Sequence, residues 1–260
     1  MSLPELPPLS HYFSPEHEAF RASLRNFVAR EITPFVNDWD EAETFPLSLY
    51  KKAAEVGATG VGFAEEFGGT PGDVFHKIIL AEEYARCGSG GVQASLNSHT
   101  IGLPPIAVAG SHDLKQRVLP SVLQGDKVAA LAITEPGGGS DVAALQTTAV
   151  REGDHYIVNG EKTFITSGMR ADFITTAVRT DTSSQGANGI SLLVLEGNTP
   201  GLHRSPLKKM GWWCSDTAHL RFENCRVPVS QLVGEEHHGF KLIMANFNNE
   251  RLFMAAQAYG

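Results

Sequence analysis

The 260-residue sequence predicts an α+β protein of several domains: an N-terminal all-α domain, a middle antiparallel β domain and the start of a C-terminal helical bundle. Two changes of hydrophobic period support this prediction. A helical period gives way to strand-like runs near residue 127, and the helical period returns at Gly239. We therefore expect domains at residues 1–126 and 127–238, with residues 239–260 forming the first helix of a truncated helical domain.

The N-terminal part carries several helix signals. Ser14 offers an N-cap, Pro15 suits the first helical position, and an apolar stripe runs from Phe20 to Val28. Pro34 should end or bend this helix, because proline lacks the backbone N–H that a helix interior needs. Further helical periods cover residues 47–56, 74–86 and 113–123.

Short strand-like runs fill the middle of the chain, at residues 128–133, 147–151, 173–179, 190–195 and 219–224. Asn159-Gly160 is the strongest short hairpin signal, and we expect it to join strands at residues 155–158 and 162–166. This register would place Phe164 and Thr166 on one face. No helical period separates these runs, which favours an antiparallel sheet.

The last 22 residues have a helical period and are largely apolar. A helix of this kind must pack against other elements. Because the chain stops where such partners would begin, we expect it to be incomplete.

Composition excludes several classes of protein. The formal net charge is −8 and there is no long basic run, so nucleic acid is not an expected partner. No stretch approaches the roughly 20 apolar residues of an integral membrane segment. The N-terminus lacks a signal-peptide pattern, and the three cysteines have no CxxC spacing, so we expect a cytoplasmic protein with reduced thiols. The ten histidines show no metal-ligand spacing, and no metal site is expected.

The loop at residues 134–141 reads TEPGGGSD. Its three glycines allow a ligand to approach the backbone and present successive N–H groups, which suits a pyrophosphate. Thr134 and Ser140 add hydroxyl groups beside them. The loop lacks the lysine of a P-loop and the pattern of a Rossmann unit. On composition alone, a flexible surface turn is the alternative.

Glu250 is the candidate catalytic base. On a helix, no cation lies three or four residues from it, so a local ion pair does not explain it. Its helical face is apolar or uncharged, with Ile243, Asn246, Phe247, Phe253, Met254 and Gln257. A carboxylate in such surroundings has a raised pKa, which suits general acid–base chemistry. Pairing with a distant arginine, or exposure to solvent, is the alternative.

Four ordered stretches resemble the acyl-CoA dehydrogenase family. They are EEFGG at residues 65–69, AITEPGGGSD at 132–141, NGEKTFITSG at 159–168, and KMGWWCSDT at 209–217 with FENCRVP shortly after it. The resemblance covers the chain from about residue 14 to its end. It implies an N-terminal helical domain, a middle β domain and a C-terminal helical bundle, with FAD held between them.

The resemblance also implies site residues. The residues expected to bind FAD are Leu131, Ile133, Thr134, Gly139, Ser140, Phe164, Ile165 and Thr166. Ser140 is expected to contact acyl-CoA as well. Many relatives carry tryptophan where this chain has Phe164, which leaves open any role of an indole in electron transfer.

The pair Glu250-Arg251 resembles the subset of the family, including the isovaleryl-CoA and long-chain types, that takes its base from this helix. Most members use a glutamate further along the chain. Asn248 and Arg251 are the expected substrate contacts, although Arg251 points away from the flavin face, and packing or an ion pair is the alternative.

The function implied is FAD-dependent α,β-dehydrogenation of an acyl-CoA to the trans-2-enoyl-CoA, as part of fatty acid β-oxidation. An electron-transferring flavoprotein would accept the electrons, and the full-length protein would form a dimer or tetramer. The alternatives are an acyl-CoA oxidase or flavin monooxygenase of the same superfamily, or a non-catalytic fragment. The acyl chain length stays open, and the pocket floor is expected near residues 97–101.

Overall fold

The computed structural model describes residues 12–184 and 186–260. The N-terminal part is helical. Its α-helices are α1 (Pro15–Phe27), α2 (Val36–Glu41), α3 (Ser48–Glu55), α4 (Val74–Ala85), α5 (Gly90–Leu96), α6 (His99–Gly102), α7 (Pro104–Ala109) and α8 (His112–Leu123). The middle part forms strands β1 (Ala129–Ala132), β2 (Thr148–Glu152), β3 (His155–Ile165), β4 (Phe173–Arg179), β5 (Ile190–Glu196), β6 (Leu202–Pro206), β7 (Ala218–Pro228) and β8 (Leu232–Val233). Helix α9 (Gly239–Tyr259) follows.

The start of α1 confirms the predicted cap. The Ser14 hydroxyl accepts the backbone N–H of His17, and Pro15 occupies the first turn. Beyond α1, the chain continues as a π-helical turn at Val28–Ile32 and a 3-10 turn at Thr33–Phe35 before α2 begins. The regular α-helix therefore ends at Phe27, before Pro34, and the proline lies within the 3-10 turn that follows.

The strands form a single eight-stranded sheet in the order β6-β7-β3-β2-β4-β5-β8, with β1 paired to β4 beside β2. Most neighbours are antiparallel, but β1 runs parallel to β4, from Ala129 opposite Phe173 to Ala132 opposite Thr176. The sheet is therefore mixed, and the predicted fold class is otherwise confirmed. The predicted domain limits stay a proposal.

The predicted hairpin at Asn159-Gly160 is wrong. Strand β3 continues through these residues and pairs with β7 along most of its length, with a register shift between Val158 and Gly160. The turn between β2 and β3 lies earlier, at Gly153-Asp154, because Glu152 pairs with His155. Position 160 requires glycine for a reason other than a turn. Its φ is +141°, and a Cβ atom there would lie 2.7 Å from the Cα atom of Thr147.

Three apolar clusters form the core. One lies among the first helices, around Leu24 and Leu80, and a second lies within the sheet, around Tyr156 and Leu193. The third joins the two parts, because side chains of α8, β1, β5 and α9 all contribute to it. This shared core fixes the helices against the sheet. Among the described residues, no helix is both long and apolar enough to cross a bilayer.

Candidate functional site

The glycine-rich loop follows β1 and is open to solvent. A Cβ atom built at Gly137 or Gly138 meets nothing within 4 Å, so folding does not require the absence of a side chain there. Gly139 differs, because its Cβ would lie 2.9 Å from Cγ2 of Thr134. Within the described chain, the backbone N–H groups of Gly137, Gly139 and Ser140 donate no hydrogen bond. The loop thus has backbone N–H groups that can donate to a ligand, and open space beside them for that ligand.

A buried ion pair fixes the base of this loop. The Lys162 ammonium is fully buried and donates to the carboxylate of Glu135 and to the carbonyl oxygen of Ile133, each at 2.9 Å. The same carboxylate accepts the N–H groups of Gln146 at 2.6 Å and Thr147 at 2.8 Å. Glu135 therefore links β1, the segment before β2, and β3 at one point.

Opposing effects act on the pKa values of this pair. Burial lowers the pKa of Lys162 to about 8, although Glu135 opposes the shift. Burial also acts to raise the pKa of Glu135, but the charge and hydrogen bonds of Lys162, with the N–H groups, lower it overall. Both shifts leave the pair ionised at neutral pH.

The predicted cofactor residues lie on neighbouring segments at the ends of β1 and β3. The N–H of Thr163 donates to the carbonyl oxygen of Thr134 at 2.8 Å, which brings the loop beside the residues after Thr163. The hydroxyl groups of Thr134, Ser140 and Thr166 form no hydrogen bond with the described chain. They are available to a ligand.

The expected alternation along the end of β3 does not hold. Lys162 and Thr163 are both buried, whereas Phe164 is 69% exposed and has a left-handed backbone with a φ of 59°. A register shift against β7 between Lys162 and Ile165 accounts for this change. Phe164 nevertheless presents an open aromatic surface two residues before Thr166.

Ile133 and Ile165 are already packed into the core, and Leu131 is half-buried against it. The side chains of the two isoleucines therefore pack inside the protein and leave little surface for a ligand. A cofactor at this edge would meet their backbone more than their side chains.

Helix α6 connects this edge of the sheet to α9. The Thr175 hydroxyl donates to the carbonyl oxygen of Gly102 at 2.7 Å, and a Cβ atom at Gly102 would lie 2.9 Å from the carbonyl oxygen of Ala130. On the other side, Asn246 of α9 donates to the carbonyl oxygen of Ile101 at 2.9 Å. β1 and α9 thus pack against the same short helix.

A cavity of about 60 Å³ lies between α4, α6 and α9, and Glu250 is in its wall. Its other lining residues are mostly apolar: Ala58, Val61, Phe63, Lys77, Leu80, Thr100, Ile101, Pro104, Asn246, Asn249 and Phe253. Burial raises the pKa of Glu250 above its ordinary value, and the charge of Arg251 opposes this only in part. Such a carboxylate is poised to take a proton.

The other predicted residues of α9 lie away from this cavity. Asn248 and Arg251 are exposed, and the Arg251 guanidinium donates to the Asn248 side chain at 3.0 Å. The cavity instead contains Asn246, which lies four residues before Glu250, and Asn249. The helical period places Asn246 on the face of Glu250, although not among the expected substrate contacts. Lys77 of α4 was missed, and no local pattern marks it.

The expected pocket floor near residues 97–101 is partly in place. Ile101 lines the cavity. Asn97, Ser98 and His99, which lead into it, are buried, and the amide of Asn97, the hydroxyl of Ser98 and Nε2 of His99 have no hydrogen-bond partner within the described residues. His99 is held neutral, because burial lowers its pKa to about 4.

A larger depression of about 450 Å³ lies elsewhere, over the loop after β5. Its charged side chains already have partners. Arg117 pairs with Glu196 at 3.0 Å, Lys127 pairs with Asp172 at 2.8 Å, and Arg204 donates to backbone carbonyl oxygens. Although it is larger, it contains none of the predicted site residues, and we do not assign the chemistry to it.

The segment at residues 209–217 has a structural role. Lys209 donates to the carbonyl oxygens of Trp212, at 2.6 Å, and of Ser215, which closes the segment on itself. The backbone N–H of Cys214 donates to Asp40 at 3.0 Å. This segment therefore joins the sheet to the first helices.

One cluster of the described residues brings three potential metal ligands within 4.8 Å of one another, one atom each from His17, Asp73 and His76. Nδ1 of His17 accepts the N–H of Ser14 at 2.9 Å, so Nε2 carries the proton and donates to Asp73 at 3.0 Å. Asp73 also accepts the N–H of His76 at the start of α4. Helix capping accounts for these contacts.

The residues fit the FAD that the resemblance implies. The free N–H groups and hydroxyls of the loop suit a pyrophosphate, and the exposed ring of Phe164 suits the face of a flavin. The cavity beside Glu250 is narrow and mostly apolar, so it suits an alkyl chain and is too small for a coenzyme.

Comparison with known proteins agrees with this arrangement. Family models described as the N-terminal and the middle domain of acyl-CoA dehydrogenase match residues 14–126 and 130–225. An acyl-CoA dehydrogenase of Bacillus subtilis (strain 168) is 38% identical over 247 residues, which cover 94% of this chain and 65% of that protein. The chain thus spans less than two thirds of the length of this relative.

Solved structures give the same result. The acyl-CoA dehydrogenase from Geobacillus kaustophilus is 40% identical, with a TM-score of 0.91 over 96% of this chain and 66% of that one. An acyl-CoA dehydrogenase from Bacillus anthracis complexed with FAD is 32% identical, with a TM-score of 0.87 over 97% of this chain and 43% of that one. The two consecutive family domains, the shared fold and the loop at the end of β1 lead to one conclusion: the chain belongs to the acyl-CoA dehydrogenase family.

Proposed function

We propose that this chain is the flavin-binding part of an enzyme that introduces an α,β double bond into an acyl-CoA thioester. The observation that supports this most directly is Glu250, a carboxylate in a narrow and mostly apolar cavity, with its pKa raised by burial. Proton removal beside a carbonyl group requires such a base.

In this proposal, the loop after β1 holds the cofactor. The N–H groups of Gly139 and Ser140 would bind the pyrophosphate, and the hydroxyls of Thr134 and Thr166 would contact the flavin. The Lys162–Glu135 pair keeps the loop and β3 in place, so these donors need no rearrangement on binding. When bound, FAD supplies the acceptor for the hydride that leaves the β-carbon.

Glu250 performs the other half of the reaction. Its carboxylate takes the α-proton, so one C–H bond breaks at each of two adjacent carbons and a C=C bond forms. The mostly apolar walls raise the pKa of the carboxyl group, which makes the carboxylate a stronger base for the α-proton. As Asn248 and Arg251 are exposed, contacts to the substrate from them would be with the coenzyme part outside the cavity.

We expect an electron-transferring flavoprotein to reoxidise the cofactor, and a homo-oligomer to be the working form. The test reconstitutes the protein with FAD and mixes it anaerobically with acyl-CoAs of several chain lengths, while the visible flavin absorbance is followed. At least one thioester should bleach it. Glu250→Gln should retain FAD and show no bleaching, whereas Glu235→Gln, in an exposed loop, should behave as the wild type.

Bleaching by Glu250→Gln would contradict the assignment of the base. Bound FAD and bound thioester without bleaching in the wild type would contradict catalysis itself. Rapid reoxidation by air, in place of reoxidation by an electron-transferring flavoprotein, would show an oxidase instead.

A further inference from the structure

Lys77 is a cation in the wall of the cavity that contains Glu250. It lies on α4 and is half-buried. Its side chain runs across the loop that holds Gly62, because a Cβ atom built there would lie 2.6 Å from Cε and 3.0 Å from Nζ of Lys77. The Lys77 side chain therefore lines the cavity, and its end lies close to the backbone of Gly62.

The ammonium group of Lys77 has no hydrogen bond or ion pair with the described chain. Other lysines of the chain do have an acidic partner: the exposed Lys52 pairs with Glu31 at 2.6 Å, and the fully buried Lys162 pairs with Glu135 at 2.9 Å. Burial lowers the pKa of Lys77, and no neighbouring acid opposes the shift. A half-buried cation of this kind is stabilised by an anion that enters the cavity.

Glu250 is not that anion. No ion pair or hydrogen bond joins Lys77 to Glu250 among the described residues, although both line the same cavity. The carboxylate of Glu250 therefore does not neutralise the ammonium group. Apolar side chains line the rest, including Val61, Leu80 and Phe253. An acyl chain that enters this cavity beside Glu250 would share it with the side chain of Lys77.

We propose that Lys77 determines substrate specificity by pairing with a carboxylate at the far end of the acyl chain. The substrate class would then be acyl-CoA thioesters that carry a second carboxylate. A methyl-ended chain would desolvate the ammonium group further and give it no partner, which is unfavourable. This inference rests on the proposed function, because that function identifies the cavity as the acyl site.

The test compares thioesters that have equal chain lengths and differ only at the far end: pentanoyl- with glutaryl-CoA, hexanoyl- with adipoyl-CoA, and octanoyl- with suberoyl-CoA. Their affinities for the FAD-loaded protein are measured by titration calorimetry, so the readout does not depend on turnover. In at least one pair, the wild type should bind the carboxylate-ended thioester more tightly.

Lys77→Met should reduce this preference by about tenfold, the range of a charge-assisted hydrogen bond in a half-exposed site. Affinity for the methyl-ended partner should not fall. Lys77→Arg should keep most of the preference, because it retains the cation. Lys241→Met is the matched control: it removes the same charge from an exposed position on α9, and should leave the preference unchanged.

An unchanged preference in Lys77→Met, or a wild type that prefers the methyl-ended thioester in every pair, would overturn the role of Lys77 and leave the proposed dehydrogenation intact. A preference that depends on Lys77, without flavin bleaching, would support the Lys77 assignment and contradict the dehydrogenation. Failure of every thioester to bind would overturn both. Melting curves of the two Lys77 variants verify that they fold.

Discussion

The ammonium group of Lys162 and the carboxylate of Glu135 form an ion pair 2.9 Å long, in which the lysine side chain is fully buried. Through it, the middle of β3 holds the end of β1 and the segment before β2. Since the predicted cofactor loop begins at Thr134, the position of the loop depends on a buried charge pair at its base.

Removal of Lys162 should be strongly destabilising. In Lys162→Met, Glu135 stays buried without its counter-charge, and we expect a loss of about 3–5 kcal/mol in the free energy of unfolding. Urea unfolding measures this loss. Lys52→Met is the control, because it removes an exposed pair with Glu31 and should leave the stability nearly unchanged. Equal losses in the two variants would contradict the role of the buried pair.

Gly160 should tolerate no side chain. Gly160→Ala forces a Cβ atom towards the backbone of Thr147, and we expect a loss of about 2–4 kcal/mol from strain and overpacking. Gly153→Ala is the matched control. Gly153 also has a positive φ, of +61°, but its Cβ would meet nothing within 4 Å, so its loss should be about 1–2 kcal/mol. Guanidinium unfolding of both variants should separate the cost of the steric contact from the cost of the positive φ. Similar losses of stability in the two variants would contradict the contact with Thr147.

A substitution at Gly138 should weaken cofactor binding and leave the stability of the fold nearly unchanged. Gly138→Val places a side chain in open space, so stability should change by about 0.5 kcal/mol or less. The valine would obstruct the backbone donors of the loop, and we expect FAD affinity to fall about tenfold or more. Fluorescence titration with FAD measures this. Gly211→Val is the control, since Gly211 also faces open space, on another loop. Unaltered FAD affinity in Gly138→Val would place the cofactor elsewhere.

The charge of Glu250 should oppose folding. A carboxyl group whose pKa is raised in the folded state stabilises the protein below its unfolded pKa, and this contribution is lost as the pH rises through the raised value. At neutral pH, Glu250→Gln should therefore melt at a higher temperature than the wild type, and the difference should shrink in acid. Calorimetry at several pH values tests this. A variant that melts lower at neutral pH would contradict it.

The same pKa shift sets the expected pH dependence of proton removal. Glu250 must be ionised to act as a base, so bleaching of the flavin should slow as the pH falls through the raised pKa. The acid limb should lie above the ordinary glutamate value of 4.5. Stopped-flow absorbance measures the limb, and a midpoint at or below that value would argue against Glu250.

Much of the fold could be predicted because its helices and strands have clear periods. The predicted helix at residues 74–86 appears as Val74–Ala85, and the predicted strand at residues 173–179 appears as Phe173–Arg179. The hairpin at Asn159-Gly160 failed because its signal is local. Pairing with β7 keeps β3 running through those residues, and β7 lies about 60 residues away in sequence. Strand β6, with a polar sequence, gave no signal.

The residues of the candidate site also fall into those that the sequence predicts and those that it does not. A contiguous motif marks the loop after β1, and the helical face around Glu250 is readable from its neighbours. Lys77 and the ion pair of Glu135 depend on segments that meet only in the folded chain, so their roles could not be predicted from local patterns. The exposed positions of Asn248 and Arg251 also follow from how α9 packs.

Helix α6 is closely packed on both sides, against β1 on one side and α9 on the other. Gly102 touches the backbone of Ala130, and the carbonyl oxygen of Ile101 is bonded to Asn246. A larger residue at Gly102 would push β1 and, with it, the cofactor loop. Substitutions meant to reshape the cavity beside Glu250 should therefore be made on α4 or α9, for example at Lys77 or Phe253. Such changes alter the cavity and leave the loop after β1 in place.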